Sequence, residues 1–413
     1  MKNICIITHS HLCRNPRVVK EANSLSRAGY NVTILTTWTD KDLLSEDLTL
    51  IDPKKIRYIA AENIIPGQSS SWSRFYSRLK RRLATETIRR FNLENIHALG
   101  YSFNKNLRKA RSLNSDLYIC HQELPTIIGC KLIKEGFTVA FDFEDWYSHD
   151  LLPEARKSRP IKLLEKYEKY ALNHCALSYT TSEALAASLA HFASSKKPGV
   201  LYNAFPFSER NSLDGKMKDR IDPGRISFHW FSQTLGPGRG IEELSEAMNN
   251  LDQPYELHLR GNCSNDYKAQ VLSIFKTRDN QQVVIHPLVS HHELLSRIGE
   301  HDIGLALEKN EPESRDLTIT NKILQYLQAG LAVLASNTAG QTEVAEKAKS
   351  CVYTFSNNEP GDLTAKLRIL LQDNDSIKNA KSSAVEVTQR LFSWEEEEKK
   401  LVEWIKSLDT FRS

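Results

Sequence analysis

FHWFSQTLGPGRGIEEL, residues 228–244, begins with the aromatic, apolar character of a strand and ends with that of a helix. Between the two lie Gly236, Pro237, Gly238, Arg239 and Gly240, three glycines around a single arginine. A strand-to-helix turn of this kind lets backbone N–H groups approach a phosphate closely, and the helix N-terminus adds partial positive charge. Arg239 would supply a full charge and a charge-assisted hydrogen bond. The plain alternative is a tight βα turn whose arginine is solvated, because glycine spacing by itself is weak evidence.

A second stretch bears on the first. HDIGLALEKNEPESRDLTITNKILQYLQAGLAVLAS, residues 301–336, reads as strand, polar loop, helix, Gly330 and strand. Ile319, Ile323, Leu324 and Leu327 share one helical face, and Thr318 or Thr320 can cap its start. Lys322 sits in the first turn, where the helix dipole disfavours a cation. That placement makes sense if an anion docks beside it, at the same edge of the same sheet as the glycine turn.

Working outward, β-rich runs alternate with helical patterns along nearly the whole chain. The expected strands are 3–8, 31–37, 55–59, 116–120, 138–141, 176–180 and 199–202, then 226–231, 255–259, 283–285, 303–307, 332–335 and 352–354. Alternation of this kind is the mark of parallel, doubly wound sheets. In the first helix Asn15 caps, Pro16 suits the first position, Val18, Ala22 and Leu25 share a face, and Gly29 ends it. The series restarts near residue 225, after the polar, turn-rich stretch PFSERNSLDGKMKDRIDPGR (206–225), which reads as an interdomain connection. Two α/β domains facing across a cleft follow, as 413 residues exceed what one core usually accommodates.

Composition excludes several classes. The chain has 55 Lys and Arg against 51 Asp and Glu, a net charge of +4 that is too mild to imply nucleic acid. Seven scattered cysteines lack metal-ligand spacing and read as reduced thiols of a cytoplasmic protein. The start is too polar after Thr8 for a signal peptide, and no apolar run approaches the roughly 20 residues of a membrane span. The opening strand is not followed by G-x-G-x-x-G, which argues against a dehydrogenase.

Several stretches together resemble the GT-B-fold glycosyltransferases of the family 4, or group 1, type. RNPRVVKEANSLSRAGYNVTILT (14–36) is similar to that family's opening helix and second strand. DLYICHQELPTIIGCKLIKEGFTVAFDFEDWYSHD (116–150) is similar to its central acidic stretch, and SEALAASLAHFASSKKPGVLYNAF (182–205) to the close of its first domain. FSQTLGPGRG (231–240) resembles the donor-binding strand and loop, and NKILQYLQAGLAVLAS (321–336) the helix beneath the nucleotide diphosphate. LFSWEEEEKKLVEWIK (391–406) resembles the terminal helix that returns to the first domain.

The resemblance implies an acceptor-binding domain over 1–208, a nucleotide-sugar-binding domain over 209–390 and a returning helix over 391–413. It implies a retaining, metal-independent transfer from a nucleotide-sugar donor to a glycan, a lipid-linked or another glycoconjugate acceptor. Arg239, with Gly236, Gly238 and Gly240, would meet the donor diphosphate, joined by Arg260 and Gly261. Backbone groups at Thr320, Asn321 and Lys322 would hold phosphate, and Glu308 would accept a sugar hydroxyl. His121 would stand near the reacting carbon, with Asp142 or Glu144 orienting it or the acceptor. The chain departs from the family pattern at Gln325, where a ribose-binding glutamate is usual, and at Gln233 or Thr234, where a first basic residue is usual. Asp142, Glu144 and Asp145 are also hard oxygen ligands, but two separate βαβ series favour the metal-free reading. A nucleotide-sugar epimerase or a non-catalytic binding subunit of the same fold are the alternatives.

Residues 71–111 hold eleven Lys or Arg against two Glu. Trp72, Phe75, Tyr76, Leu79 and Leu83 recur at helical spacing, with Arg74, Arg78, Arg81 and Arg82 elsewhere around the turn. Aromatics on one side and arginines on another suit an anionic membrane surface, so peripheral association at the inner face of the membrane is expected. The alternatives are a helix that packs its apolar face on the domain, or nucleic acid, for which no base-reading motif is present.

Overall fold

The computed structural model describes residues 2–410 and divides into two compact units. The first comprises 1–201 and 398–413; the second comprises 202–397. Strands of the first unit are β1 (Asn3–Ile7), β2 (Asn31–Trp38), β3 (Ile56–Asn63), β4 (Leu117–His121), β5 (Val139–Phe143), β6 (Leu177–Thr180) and β7 (Gly199–Val200). Those of the second are β8 (Ser227–Thr234), β9 (Tyr255–Asn262), β10 (Gln281–His286), β11 (Ile303–Ala306), β12 (Ala332–Ser336) and β13 (Val352–Phe355). Every strand expected from the sequence is present, and the α/β, two-domain, doubly wound architecture is as expected.

The sheet orders are β3-β2-β1-β4-β5-β6-β7 and β10-β9-β8-β11-β12-β13, and all pairings between strands are parallel. Strands β4, β5, β11 and β12 are buried along their whole length, which is why they read as continuous apolar runs rather than alternating ones. The chain reverses its winding direction between β1 and β4 in one sheet and between β8 and β11 in the other. Ligands of open parallel sheets bind just beyond the strand C-termini at such a reversal. The quoted stretch 228–244 leaves one of these two points.

Local signals set the elements. Asn15 accepts a hydrogen bond from Val18 N, Pro16 opens the helix Pro16–Arg27, and Gly29 follows with φ +94°. The segment 206–225 is a packed part of the second unit, because the chain crosses between units at Leu201 and Tyr202. Its polar residues form ion pairs: Arg220 with Glu256 (3.1 Å) and Asp302 (3.1 Å), and Asp214 with Arg297 (2.5 Å). Part of the charge that reads as linker composition is ion-paired within the second unit instead. The last helix, Trp394–Thr410, contributes to both units; Glu398 accepts from Ser24 Oγ at 2.7 Å, and Trp404 packs on Tyr179.

Candidate functional site

In the second unit the glycine turn and the 321-helix meet. Because β8 and β11 are parallel neighbours, the turn after β8 and the loop after β11 emerge at the same sheet edge. Gly238 and Gly240 have φ of +72° and +83°, a backbone region open to glycine and strained for other residues. Lys309 pairs with Glu243 at 2.7 Å, tying the helix that follows the turn to the β11 loop. Lys322 Nζ in turn reaches Glu308 Oε1 at 2.5 Å. A cavity of about 240 Å³ opens here, lined by Gly240, Glu243, Glu308, Asn310 and Asn357 among others.

The helix Asn321–Ala329 starts at this edge with Thr320 as its N-cap residue. The Thr320 side chain makes no cap hydrogen bond, and its buried Oγ1 has no protein partner. The first-turn N–H groups have no intrahelical acceptor, which leaves donors and the positive end of the dipole for a ligand. Lys322 is held by Glu308 and lies 5.6 Å from the Trp230 ring centroid, so its awkward place is balanced by a carboxylate of this chain. Arg239 is exposed, its guanidinium donating to Ser232 Oγ at 3.0 Å. Gln325 is half-buried on the same helix.

Two expectations are corrected here. Arg260 is buried, donates to the Pro287 carbonyl at 2.7 Å and pairs with Asp219, so its charge is used inside the unit. Gly261 serves packing: a Cβ there would lie 2.6 Å from Leu235 Cδ1 and 2.8 Å from the Ser232 carbonyl oxygen. The β8 end approaches β9 so closely that only a bare backbone fits. Gly236 has an ordinary φ and open space around it, so neither conformation nor room demands glycine.

In the first unit His121 ends β4 fully buried, and this too corrects an expectation. Its Nε2 faces Glu21 Oε2 at 3.1 Å; its Nδ1 faces Glu144 Oε1 at 3.0 Å and Asp142 Oδ2 at 3.3 Å. Arg17 forms a two-pronged pair with Asp142 and donates to the Leu201 carbonyl at 2.9 Å. Tyr179 donates to Glu21 at 2.8 Å. Burial would depress the His121 pKa, but Glu21, Glu144 and Asp142 outweigh it and push it up to about 10. Burial would raise Glu21, yet His121 and Arg17 bring it down to about 2. Burial, only partly offset by Arg17, pushes Asp142 up. His121 and Asp142 are thus closed off from solvent in this conformation.

Glu144 is the member of this network that reaches the surface. Its side chain keeps 20% of its area exposed while it accepts from His121 and, at 2.9 Å, from Asn15 Nδ2. Burial would raise its pKa, but these hydrogen bonds hold it below the ordinary range, so the exposed group is a carboxylate. It lines a cavity of about 470 Å³ with His9, Gln122, Glu123, Asp145 and Arg159, at the β1/β4 reversal. His9 Nδ1 is buried without a hydrogen-bond partner among the described residues, and burial lowers the pKa of its ring. Gln122 carries φ +71°, ψ 176°, a region almost reserved for glycine. Its side-chain Oε1 accepts from Thr8 Oγ1 at 2.8 Å and its Nε2 donates to Ser10 Oγ at 2.6 Å, which fixes the β1 loop.

Arg17, Glu21, His9 and Gln122 were not singled out from the sequence. A signal existed for the first two. Arg17 and Glu21 are charges on the same buried face as Val18, Ala22 and Leu25, and buried charges need partners. Glu21, His121 and Asp142 bring three ligand atoms within 4.8 Å of one another. Each is already engaged within the network, and a cation among them would compete with Arg17 for Asp142.

The helix Ser71–Phe91 presents Trp72 (79% exposed), Phe75 (58%), Tyr76, Leu79 and Leu83 to solvent. It packs on the unit through Ala84 and Ile88, which cluster with Ala98. At 100° per residue these lie roughly opposite the exposed stripe. The apolar stripe is therefore not the packing face. No helix among the described residues is long and apolar enough to cross a membrane.

No family model matches the chain, and no curated protein matches it. Solved structures do. Sucrose-phosphate synthase of Thermosynechococcus elongatus superposes with TM-score 0.70 at 15% identity, over 99% of this chain and 100% of that one. HepE of Anabaena, solved in complex with UDP-glucose, gives 0.68 at 12% identity over 98% and 100%. A glycosyltransferase of Rickettsia africae gives 0.66 at 14% identity over 98% of each chain. The chain has the fold of these GT-B glycosyltransferases.

Proposed function

We propose that the protein is a retaining, nucleotide-sugar-dependent glycosyltransferase that builds a glycan or glycoconjugate without a metal. The observation carrying this reading is the meeting of the 236–240 turn with the 321-helix N-terminus at the β8/β11 reversal. Both elements offer backbone N–H groups, and Arg239 adds a mobile charge. As a glycosidic bond to a diphosphate breaks, negative charge grows on the leaving group. Donors fixed in advance therefore stabilise the transition state more than the ground state. Thr320, Asn321 and Lys322 would hold the phosphates through their backbone, Glu308 would accept a sugar hydroxyl, and Gln325 would lie near the ribose. In the first unit Glu144 and His9 would orient the acceptor, with His121 and Asp142 fixing Glu144 from behind.

HepE binds UDP-glucose, so UDP-sugars are the first donors to try. A thermal-shift screen against UDP-, GDP-, ADP- and dTDP-sugars tests the reading. A ligand at 100 times its Kd stabilises by about 2.7 kcal/mol, and one nucleotide class should stand out. No shift from any of the four would refute it. Binding with neither transfer to an acceptor nor donor hydrolysis would favour the non-catalytic subunit, a reading to which Gln325 lends some support.

The exposed stripe of the Ser71–Phe91 helix supports peripheral association with an anionic membrane, where a lipid-linked acceptor would be met. Each basic residue at such a surface contributes about 1 kcal/mol. Flotation with phosphatidylglycerol vesicles at low salt should carry the protein upward, and a Trp72→Ser, Phe75→Ser variant should stay behind. Recovery of both in the pellet fraction would remove the membrane from the account.

A further inference from the structure

Beside the exposed stripe, between the helices Ser71–Phe91 and Phe103–Leu113, lies a separate cavity of about 300 Å³. That volume is at the lower end of small-molecule sites. Its wall carries four cations, Lys80, Arg81, Lys105 and Arg108, against one carboxylate, Glu62. Glu62 is buried and committed: it accepts from Ser73 Oγ at 2.8 Å, from Ser102 Oγ and from Lys105 Nζ. Its single charge is thus matched by Lys105. Lys80, Arg81 and Arg108 have no carboxylate partner among the described residues.

Other features favour an anion in the same place. Arg81 lies over the Tyr101 ring, 5.0 Å from its centroid, so its guanidinium is held rather than free. Ser102 takes a left-handed conformation (φ +61°) as N-cap residue of the Phe103–Leu113 helix, but its hydroxyl is spent on Glu62 and makes no cap bond. The first turn of that helix, including Phe103 and Asn104, lines the cavity, and its leading N–H groups lack a side-chain cap. Cations without a carboxylate partner along a concave wall raise the local potential and attract a multiply charged anion. His97 is on the same wall, its pKa lowered by burial and by Lys80, and its ring can donate a hydrogen bond. Tyr76 belongs to both the cavity wall and the exposed stripe, so the cavity borders the surface assigned above to the membrane.

We propose that this cavity binds a phosphate or diphosphate group carried by the acceptor. The proposal rests on the reading that the first unit takes the acceptor, and it narrows the acceptor to a phosphorylated one. The group can come from a soluble phosphorylated sugar or from a lipid-linked one, since both present the same oxyanions.

The test is calorimetric titration of the full-length protein, saturated with UDP, with inorganic pyrophosphate, geranyl diphosphate and phosphatidylglycerol vesicles in turn. The variants are Lys80→Ala with Arg108→Ala and, as a control for diffuse charge, Lys109→Ala, an exposed residue of the same helix outside the cavity. The expected result is at least a tenfold loss of geranyl diphosphate affinity in the double variant and none in the control. An equal loss for pyrophosphate supports recognition of the phosphate itself and a soluble source; a loss confined to geranyl diphosphate supports a lipid-linked one. Unchanged affinity for both diphosphates, a loss confined to vesicles, or an equal loss in the control would overturn the proposal. The UDP-sugar thermal shift, read on the same variants, reports separately on the donor site.

Discussion

Gly240 is set hard against Leu307: a Cβ on Gly240 would lie 2.9 Å from Leu307 Cβ and 3.4 Å from the Leu307 carbonyl oxygen. This contact joins the glycine turn to the loop that carries Glu308, and through Glu308 to Lys322. Gly240→Ala must therefore either shift the turn or abandon φ +83°, at about 1–2 kcal/mol for the backbone alone. Donor affinity is expected to fall at least tenfold by titration, with a modest change in Tm because the turn lies at the sheet edge. Gly236→Ala, with open space and an ordinary φ, should bind donor as the parent does.

The Arg17 network supports the first unit from inside. Removing its cation leaves Asp142 and Glu21 buried with His121 as their remaining cationic partner among the described residues. Arg17→Met should destabilise by about 3–5 kcal/mol, the cost of breaking a buried pair from one side. Urea unfolding checks this. Glu144→Gln is a milder probe: it keeps the shape, removes the exposed charge, and should lower turnover more than stability.

The second unit should lose stability in acid, and the His121 site of the first unit in alkali. In the second, His229, His258, His286 and His301 stack under the sheet, with centroid separations of 4.6 Å (His229–His301), 4.5 Å (His258–His301) and 5.1 Å (His258–His286). Burial and the nearby Arg220 and Arg260 lower their pKa values, against partial opposition from Glu256 and Asp219. The unfolded chain then binds more protons than the folded one below about pH 6.5, so stability falls as pH falls. The slope is about 1.4 kcal/mol per pH unit for each histidine still neutral in the fold. In the first unit His121 is raised, so its contribution is complete below about pH 6.5 and disappears as pH rises through about 10. Hydrogen exchange read by mass spectrometry at pH 5, 7 and 9.5 should show the second unit losing protection in acid and the first in alkali.

What was legible in the sequence is what backbone chemistry writes locally. The strand at 303–307, buried on both faces, and the Asn15-Pro16 helix start announce themselves within a few residues. Gly238, Gly240 and Thr320 were legible as a glycine turn and a helix start, because a left-handed backbone favours glycine and a helix start favours a threonine. Side-chain partners were not legible when they come from distant strands. His121 reads as a group near the reacting carbon, but Glu21 and Asp142 close over it from other elements. Arg260 reads as a donor-binding charge until Asp219, which looks like linker, pairs with it. The aromatic stripe at 72–83 was legible as a face, whereas its direction, away from Ala84 and Ile88, required the packing.

Turnover by Arg239→Ala is the most direct measurement. The side chain is exposed and hydrogen-bonds to Ser232, so the variant should fold and melt as the parent does. With the nucleotide sugar identified by thermal shift, donor affinity should change by a few-fold, while kcat falls by at least about a hundredfold, as for loss of one oxyanion donor. A variant that binds donor and turns it over at the parental rate would contradict stabilisation of a departing diphosphate at the 236–240 turn.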